Sequence, residues 1–279
     1  MILKVDSVTF RYGLKKPLFA GFSAELKPGS VTALLGLNGT GKTTLLKLCC
    51  GLLVPSKGKI SLGDAHISSR HKEALEHIFF VPDTLELPAV TATAFGKLNG
   101  PFYSNFDYAY YEQLLGRFSV PSDKKLTGLS FGQQKKAHLA FAFAAGTNYL
   151  LLDEPTNGLD PNSMAVLKQI IAESAGNNRS LLISTHHLGD VENLCDDFVI
   201  LNEQHKAFHD SLEHILDNYH FGMTAALPND TLYHEETFGN VFYIRRRNPG
   251  EQVSQFNLQL YMNAVLTKSL IHEKYTAAV

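Results

Sequence analysis

Apolar and polar positions alternate over residues 2–10 and again over 18–26, the two-residue period of half-buried strands, and each stretch predicts one. A short apolar run at 31–35 predicts a strand, and helical spacing over 44–53 ends at Pro55 and Gly58. A strand is expected at 59–62, helical character at 70–77, and a buried strand at 78–81 that Pro82-Asp83 terminates. From 84 to 148 the chain is aromatic-rich and punctuated by Gly and Pro, with helical periods at 107–118 and 133–145, which reads as an inserted helical subdomain. Apolar runs return at 149–152 and 181–184, with a helical pattern at 163–175 between them. Strands this continuously apolar, alternating with helices, predict an α/β fold whose parallel sheet is covered on both faces. Beyond 201 the pattern thins to a turn, strand and helix over 202–218, a strand at 241–244 and a helix at 255–268.

Composition narrows this picture. The 279 residues suit one large domain and an appendage, and 44% hydrophobic with 19% charged residues is the usage of an ordinary soluble globular protein. A net charge of −2 supplies no global attraction to nucleic acid or an anionic membrane. Cys49, Cys50 and Cys195 are too few and oddly numbered for a disulfide framework, which points to a reducing cytosol. No charged-then-apolar leader opens the sequence, and the most apolar region, 139–152, is interrupted by Gly146-Thr147-Asn148 before it reaches spanning length. Work at a membrane is therefore expected to go through a partner. Arg245-Arg246-Arg247 reads as an exposed, solvated run, with contact to anionic lipid or a partner as the other reading.

The chemistry concentrates in four stretches. Gly36-Leu37-Asn38-Gly39-Thr40-Gly41-Lys42-Thr43 fits the phosphate-cradle pattern and sits between the strand at 31–35 and the helix that follows. Glycines let the backbone close round a triphosphate, the helix start adds a positive dipole end, Lys42 neutralises phosphate charge, and the Thr43 hydroxyl suits Mg²⁺. Residues 149–152 deliver Asp153 and Glu154 at a strand end; neighbours on a strand point to opposite sides, so one can serve the Mg²⁺ shell and the other the attacking water. Ser130 followed by Gln133 is a capping-box signature, which marks a helix start and, by the same physics, an anion site. The strand at 181–184 ends in Thr185-His186-His187, where a histidine either makes a structural hydrogen bond or donates to a phosphate. Tyr12, at a turn, either packs at a strand end or stacks on a base. His205 and His209 are helically spaced but lack the further ligands a metal site needs.

Together these residues, over about 2–201, resemble the nucleotide-binding ATPase subunits of ABC transporters. The signature Leu129-Ser130-Phe131-Gly132-Gln133-Gln134 ahead of the acidic strand end is particular to that family, Pro155-Thr156-Asn157-Gly158-Leu159-Asp160-Pro161 matches its dimer-contacting loop, and Thr185-His186 its switch histidine. The resemblance implies a P-loop NTPase (RecA-like) fold with a mostly parallel sheet, an N-terminal antiparallel part, a helical subdomain at 84–148 within an ATPase domain at 1–218, and an appendage at 219–279. It implies ATP and Mg²⁺ as cofactors. Tyr12 would stack on adenine; Gly36, Asn38, Gly39, Thr40, Gly41, Lys42, Thr43 and Thr44 would hold the nucleotide; and Thr43, Asp153 and Asp83 would serve Mg²⁺. Glu154 would polarise water, His186 would contact the γ-phosphate beside Lys42, and Ser130, Gly132, Gln133 and Asp160 would complete the site of a second subunit.

The implied partners are a second ATPase subunit, in a homodimer or heterodimer, and an integral-membrane permease on whose cytoplasmic side the chain docks through its helical subdomain, with no nucleic acid. The appendage is similar to those of ATPases paired with exporter permeases. Two positions depart from the pattern. Asp83 stands where the family has Gln, shorter by a methylene and anionic, which bears on coupling; Phe131 replaces a Gly and is expected to point away from the phosphate. The rival readings are a non-transport ABC ATPase acting on ribosome or DNA, which usually carries two cassettes or long coiled-coil insertions that this chain lacks, and a low-turnover regulatory ATP-binding protein.

Overall fold

The structure, a computed structural model, describes residues 1–175, 179–202, 207–237, 240–267 and 270. The chain opens with β1 (Leu3–Phe10), β2 (Phe19–Leu26), β3 (Val31–Gly36), α1 (Lys42–Cys49), β4 (Lys57–Leu62), β5 (Ala65–His66), α2 (Lys72–Leu75) and β6 (Ile78–Val81). Helices α3 (Ala92–Asn99), α4 (Tyr108–Arg117) and α5 (Phe131–Ala144) follow, then β7 (Tyr149–Asp153), α6 (Pro161–Ala175), β8 (Ser180–Thr185) and β9 (Asp197–Leu201). The remainder holds β10 (Ala207–Ser211), α7 (Leu212–Asn218), β11 (Tyr219–Thr224), β12 (Thr231–Thr237), β13 (Asn240–Arg246) and α8 (Leu258–Leu266).

The central sheet runs β10-β9-β3-β8-β7-β6, with every pair parallel except β10–β9. Every residue of β3, β7 and β8 is buried, as continuous apolar runs require when both sheet faces are covered. The two-residue period divides them between two cores. Val31, Ala33 and Leu35 face a core shared with α4, α5 and α6, while Leu34 faces the one shared with α1, β1 and β4. The antiparallel sheet β2-β1-β4-β5 closes this second core.

Tyr149 pins that sheet to the central one. Its buried hydroxyl accepts from the Leu3 N–H at 3.1 Å and donates to the Met1 carbonyl at 2.7 Å, with the Leu26 carbonyl 3.2 Å away. Removing the hydroxyl strands these groups, so Y149F is expected to lower unfolding free energy by about 1–3 kcal/mol. Urea denaturation checks this; an unchanged midpoint would remove Tyr149 as the pin.

Helix α1 ends at Cys49, short of the expected 53, because Gly51 turns the chain at φ 73°. Helix α3 was not expected; Thr91 caps it by accepting from the Ala94 N–H at 3.1 Å. Strands β9, β11 and β12 are likewise additions to the sequence reading. The C-terminal sheet β11-β13-β12 carries α8, whose Leu258, Leu260, Tyr261, Ala264 and Val265 join the same core as Phe198 and Ile200.

The arginine run is solvated only in part: Arg246 is exposed, whereas Arg245 and Arg247 are half-buried. Arg245 pairs with both oxygens of Glu251, Arg246 lies 5.0 Å from the Tyr219 ring centroid, and Arg247 donates to the Leu216 carbonyl at 3.2 Å. Glu251 is held at about 2 by the Arg245 hydrogen bonds and an N–H from Asn248. His205, Lys268 at the end of the expected 255–268 helix, and residues 271–279 of the appendage lie outside the described residues. No described helix is long and apolar enough to cross a membrane.

Candidate active site

The C-terminal ends of β3, β6, β7 and β8 meet at one rim of the sheet, where open α/β folds bind ligands. Gly41 leads into α1 at φ 107°, and a Cβ there would lie 2.9 Å from Phe19 Cζ and 3.0 Å from Leu18 Cδ2. No described side chain caps α1, so its first-turn N–H groups remain available to an anion. Within the loop, Thr40 donates to the Leu37 carbonyl at 2.8 Å, and buried Lys42 donates to the Gly36 carbonyl at 2.8 Å. Lys42 Nζ also lies 3.7 Å from Glu154 Oε1.

The two adjacent carboxylates take different partners, Asp153 as the last residue of β7 and Glu154 just beyond it. Buried Asp153 accepts from the Thr43 hydroxyl at 2.7 Å and the Ser184 hydroxyl at 2.6 Å. Glu154 turns the other way, its Oε2 lying 2.9 Å from His186 Nδ1. It does so from φ 45°, a left-handed conformation uncommon for a non-glycine residue. The His187 ring rests against the His186 ring at 3.9 Å between centroids. Tyr12 packs edge-on against Phe10, the strand-end reading, and lines the cavity with its hydroxyl 3.0 Å from Thr44 Oγ1.

A cavity of about 540 Å³ lies among Tyr12, Leu18, Leu37, Asn38, Gly39, Gly41, Lys42, Thr43, Thr44, Asp83, Glu154, Asn157 and His186. Gly36, Thr40 and Asp153 stand behind it, bonded to its lining as given above. Ser130, Gly132, Gln133 and Asp160 do not line it. Ser130 and Gln133 form the full capping box of α5, the Ser130 hydroxyl accepting at 3.3 Å and the Ser130 N–H donating to Gln133 Oε1 at 3.2 Å. Gly132 packs so closely on the 155–161 loop that a Cβ would lie 2.5 Å from the Gly158 carbonyl oxygen. Phe131 is half exposed beside Gly158. Asp160 accepts from the Ser163 hydroxyl at 2.6 Å and N–H at 3.0 Å, bonds that hold its carboxyl at about 2.

Asp83 does not stand alone. Its Oδ1 accepts from Lys135 Nζ at 3.1 Å and Asn157 Nδ2 at 3.3 Å. Burial pushes the Lys135 ammonium below its ordinary pKa, and Asp83, Asp153 and Glu154 oppose that shift. His138, further along α5, is driven down to about 4 by burial and by Lys135, which leaves it neutral at pH 7. Lys135 and Asn157 escaped the sequence reading. Asn157 lies inside the quoted 155–161 loop, but nothing in the spacing marks Lys135. Among the described residues no group of three or more His, Cys, Asp or Glu is placed to hold a metal ion.

The sequence profile of the ABC transporter family matches residues 19–157. The chain is 31% identical over 199 residues to the ABC transporter ATP-binding protein YtrB of Bacillus subtilis, a match covering 70% of this chain and 65% of YtrB. It is 30% identical to the manganese transport system ATP-binding protein MntA of Synechocystis, over 72% of this chain and 81% of MntA. Among solved structures, cbiO1 from Clostridium perfringens, part of the ABC transporter complex cbiONQ, superposes with a TM-score of 0.62 at 27% identity, over 76% of this chain and 89% of cbiO1. The chain belongs to the ATP-binding subunits of ABC transporters, the ATPases that energise transport through a membrane permease.

Proposed function

We propose that this chain binds ATP and Mg²⁺ in the cavity at the sheet rim, hydrolyses ATP only when two ATPase subunits close on each other, and passes that closure to a separate integral-membrane permease docked on its helical subdomain. Residues 1–218 form the ATPase domain and 219–279 an appendage. The chain then works at the cytoplasmic face of the membrane, peripheral to it.

Tyr12 stacks on the adenine. The 36–41 backbone, Lys42 and Thr44 bind the phosphates, as amides at a helix start and a buried ammonium are suited to do. Thr43, Asp153 and Asp83 would hold Mg²⁺. These are hard oxygen donors, and this metal ordinarily takes one or two carboxylates plus substrate phosphates rather than a closed protein cage. Bound Mg²⁺ neutralises phosphate charge. Glu154 accepts a proton from the attacking water, and His186, bonded to Glu154, donates to the γ-phosphate. Ser130, Gly132, Gln133 and Asp160 serve the nucleotide of the second subunit.

One observation carries the two-subunit reading. The nucleotide-binding residues inferred from sequence fall into two sets, one around the cavity and one outside it at the start of α5 and α6, so a single chain holds halves of two sites. The membership of cbiO1 in a transporter complex supports a permease partner. Dilution tests the reading: the specific ATPase activity of the isolated chain is expected to fall as protein concentration drops below the dimer dissociation constant. Constant specific activity down to a monomeric preparation, verified by light scattering, would overturn it.

A further inference from the structure

One buried cation near the site has no part in the scheme above. Lys135 sits on α5, just past the Ser130 cap, and its side chain has 0% exposure. Its ammonium donates to Asp83 Oδ1 at 3.1 Å and to the backbone carbonyl of Glu154 at 2.5 Å. It therefore ties three elements together: the signature helix, the end of β6 and the end of β7. On its other side, the Glu154 N–H meets the Ser184 carbonyl and hydroxyl oxygens, both at 3.1 Å. Both peptide groups that flank the Glu154 side chain are thus anchored. That matters because Glu154 holds φ 45°, a conformation a non-glycine residue keeps only where its surroundings over-determine it. Relaxing this backbone would swing the carboxylate away from Lys42 and His186. An ammonium loses solvation on burial and is retained only with good acceptors, and both of its acceptors belong to groups at the nucleotide cavity.

We propose that Lys135 is a positioning residue for ATP hydrolysis: by clamping the Glu154 carbonyl and Asp83 to the signature helix, it fixes where the Glu154 carboxylate points. The inference rests on the reading of Glu154 as the group that activates water. It also gives each signature helix, which serves the second subunit's nucleotide, a direct hold on the hydrolytic carboxylate of its own chain.

K135M keeps the length and apolar stem and removes the charge. Its kcat is expected to fall about 10- to 100-fold, since small misplacement of a reacting group carries losses of that order. The KM for ATP and the affinity for a fluorescent ATP analogue are expected to stay within about threefold, because the 36–41 backbone, Lys42, Thr43 and Thr44, which grip the phosphates, do not touch Lys135. In the E154Q background, adding K135M is expected to cause no further loss, since a residue acting through Glu154 is silent once that carboxylate is gone. K135R retains the buried charge and is expected to fold; its planar fork cannot reproduce the ammonium's two bonds, so kcat falls about three- to tenfold at unchanged KM.

Wild-type kcat in both variants, or in K135R should K135M fail to fold, overturns the inference. So does a loss from K135M that is as large in E154Q as in the parent, since that marks a general structural role. Undiminished turnover in E154Q alone overturns the assignment of Glu154 and the inference with it, whereas collapse in E154Q with an additive K135M overturns the inference only.

Discussion

E154Q is expected to lower ATP turnover by about 10²- to 10⁴-fold, the range general-base removal spans, while nucleotide binding survives. The substitution is nearly isosteric, so the N–H bonds to Ser184 and the carbonyl bond to Lys135 stay in place, and with them the left-handed backbone at φ 45°. What changes is the carboxylate that lies 2.9 Å from His186 Nδ1 and 3.7 Å from Lys42 Nζ. An amide there cannot accept a proton from water. The cavity also loses a negative charge beside Lys42, which favours the triphosphate, so binding is expected to hold or tighten. Binding without turnover leaves ATP bridging two subunits, and an ATP-dependent dimer should accumulate on size exclusion. Phosphate release and chromatography read both halves of the result. Parental turnover would mean that another group activates the water.

How much of this was legible in the sequence follows from which physics acts locally. The runs at 31–35, 149–152 and 181–184 were readable because burial on both sheet faces leaves them almost wholly apolar, with only Thr32 and Ser184 as small buried exceptions. The cradle at 36–43 was readable because glycine spacing and the strand-to-helix corner are local. Helix α3 was not, since Thr93, Gly96 and Asn99 are poor helix formers; the Thr91 cap and tertiary contact hold it, as in the bond from the Tyr111 hydroxyl to the Ala92 carbonyl at 2.9 Å. Strand β11 alternates buried with half-buried positions only over 219–222, and the half-buried positions of β12 are Thr231, Tyr233 and Glu235, so neither writes an apolar period into the sequence. Arg245 read as solvated because its partner Glu251 lies beyond the following turn, where spacing along a strand carries no signal.

Lys135 is the instructive miss. A lysine near a helix start reads as surface by default, and only the packing of α5 against the ends of β6 and β7 buries it. The same packing changes the meaning of Asp83. Read alone it is a lone anion where the family has a neutral Gln; in the fold a buried ammonium balances it and Asn157 orients it.

Mixing two inactive variants is expected to restore activity, the second large effect. K42A removes the ammonium buried among the Gly36 carbonyl and Glu154, and with it phosphate neutralisation in its own cavity, but leaves the α5 start intact. S130D does the reverse. Aspartate caps a helix as well as serine does, so the fold at the exposed start of α5 is preserved. Its charge repels a triphosphate arriving from a second copy. Each variant alone is expected to lose about 10²-fold or more, since a removed or opposed charge contact at a transferring phosphoryl group has effects of that order. In an equal mixture, random pairing makes half the dimers mixed, and each mixed dimer holds one site with both an intact Lys42 and an intact Ser130; about a quarter of the parental rate should return. The gain should peak at equal amounts and vanish on dilution below the dimer dissociation constant. Activity that never exceeds the sum of the two variants, at any ratio, would mean that the start of α5 does not complete another copy's cavity, and its bonds would then be those of an ordinary helix cap.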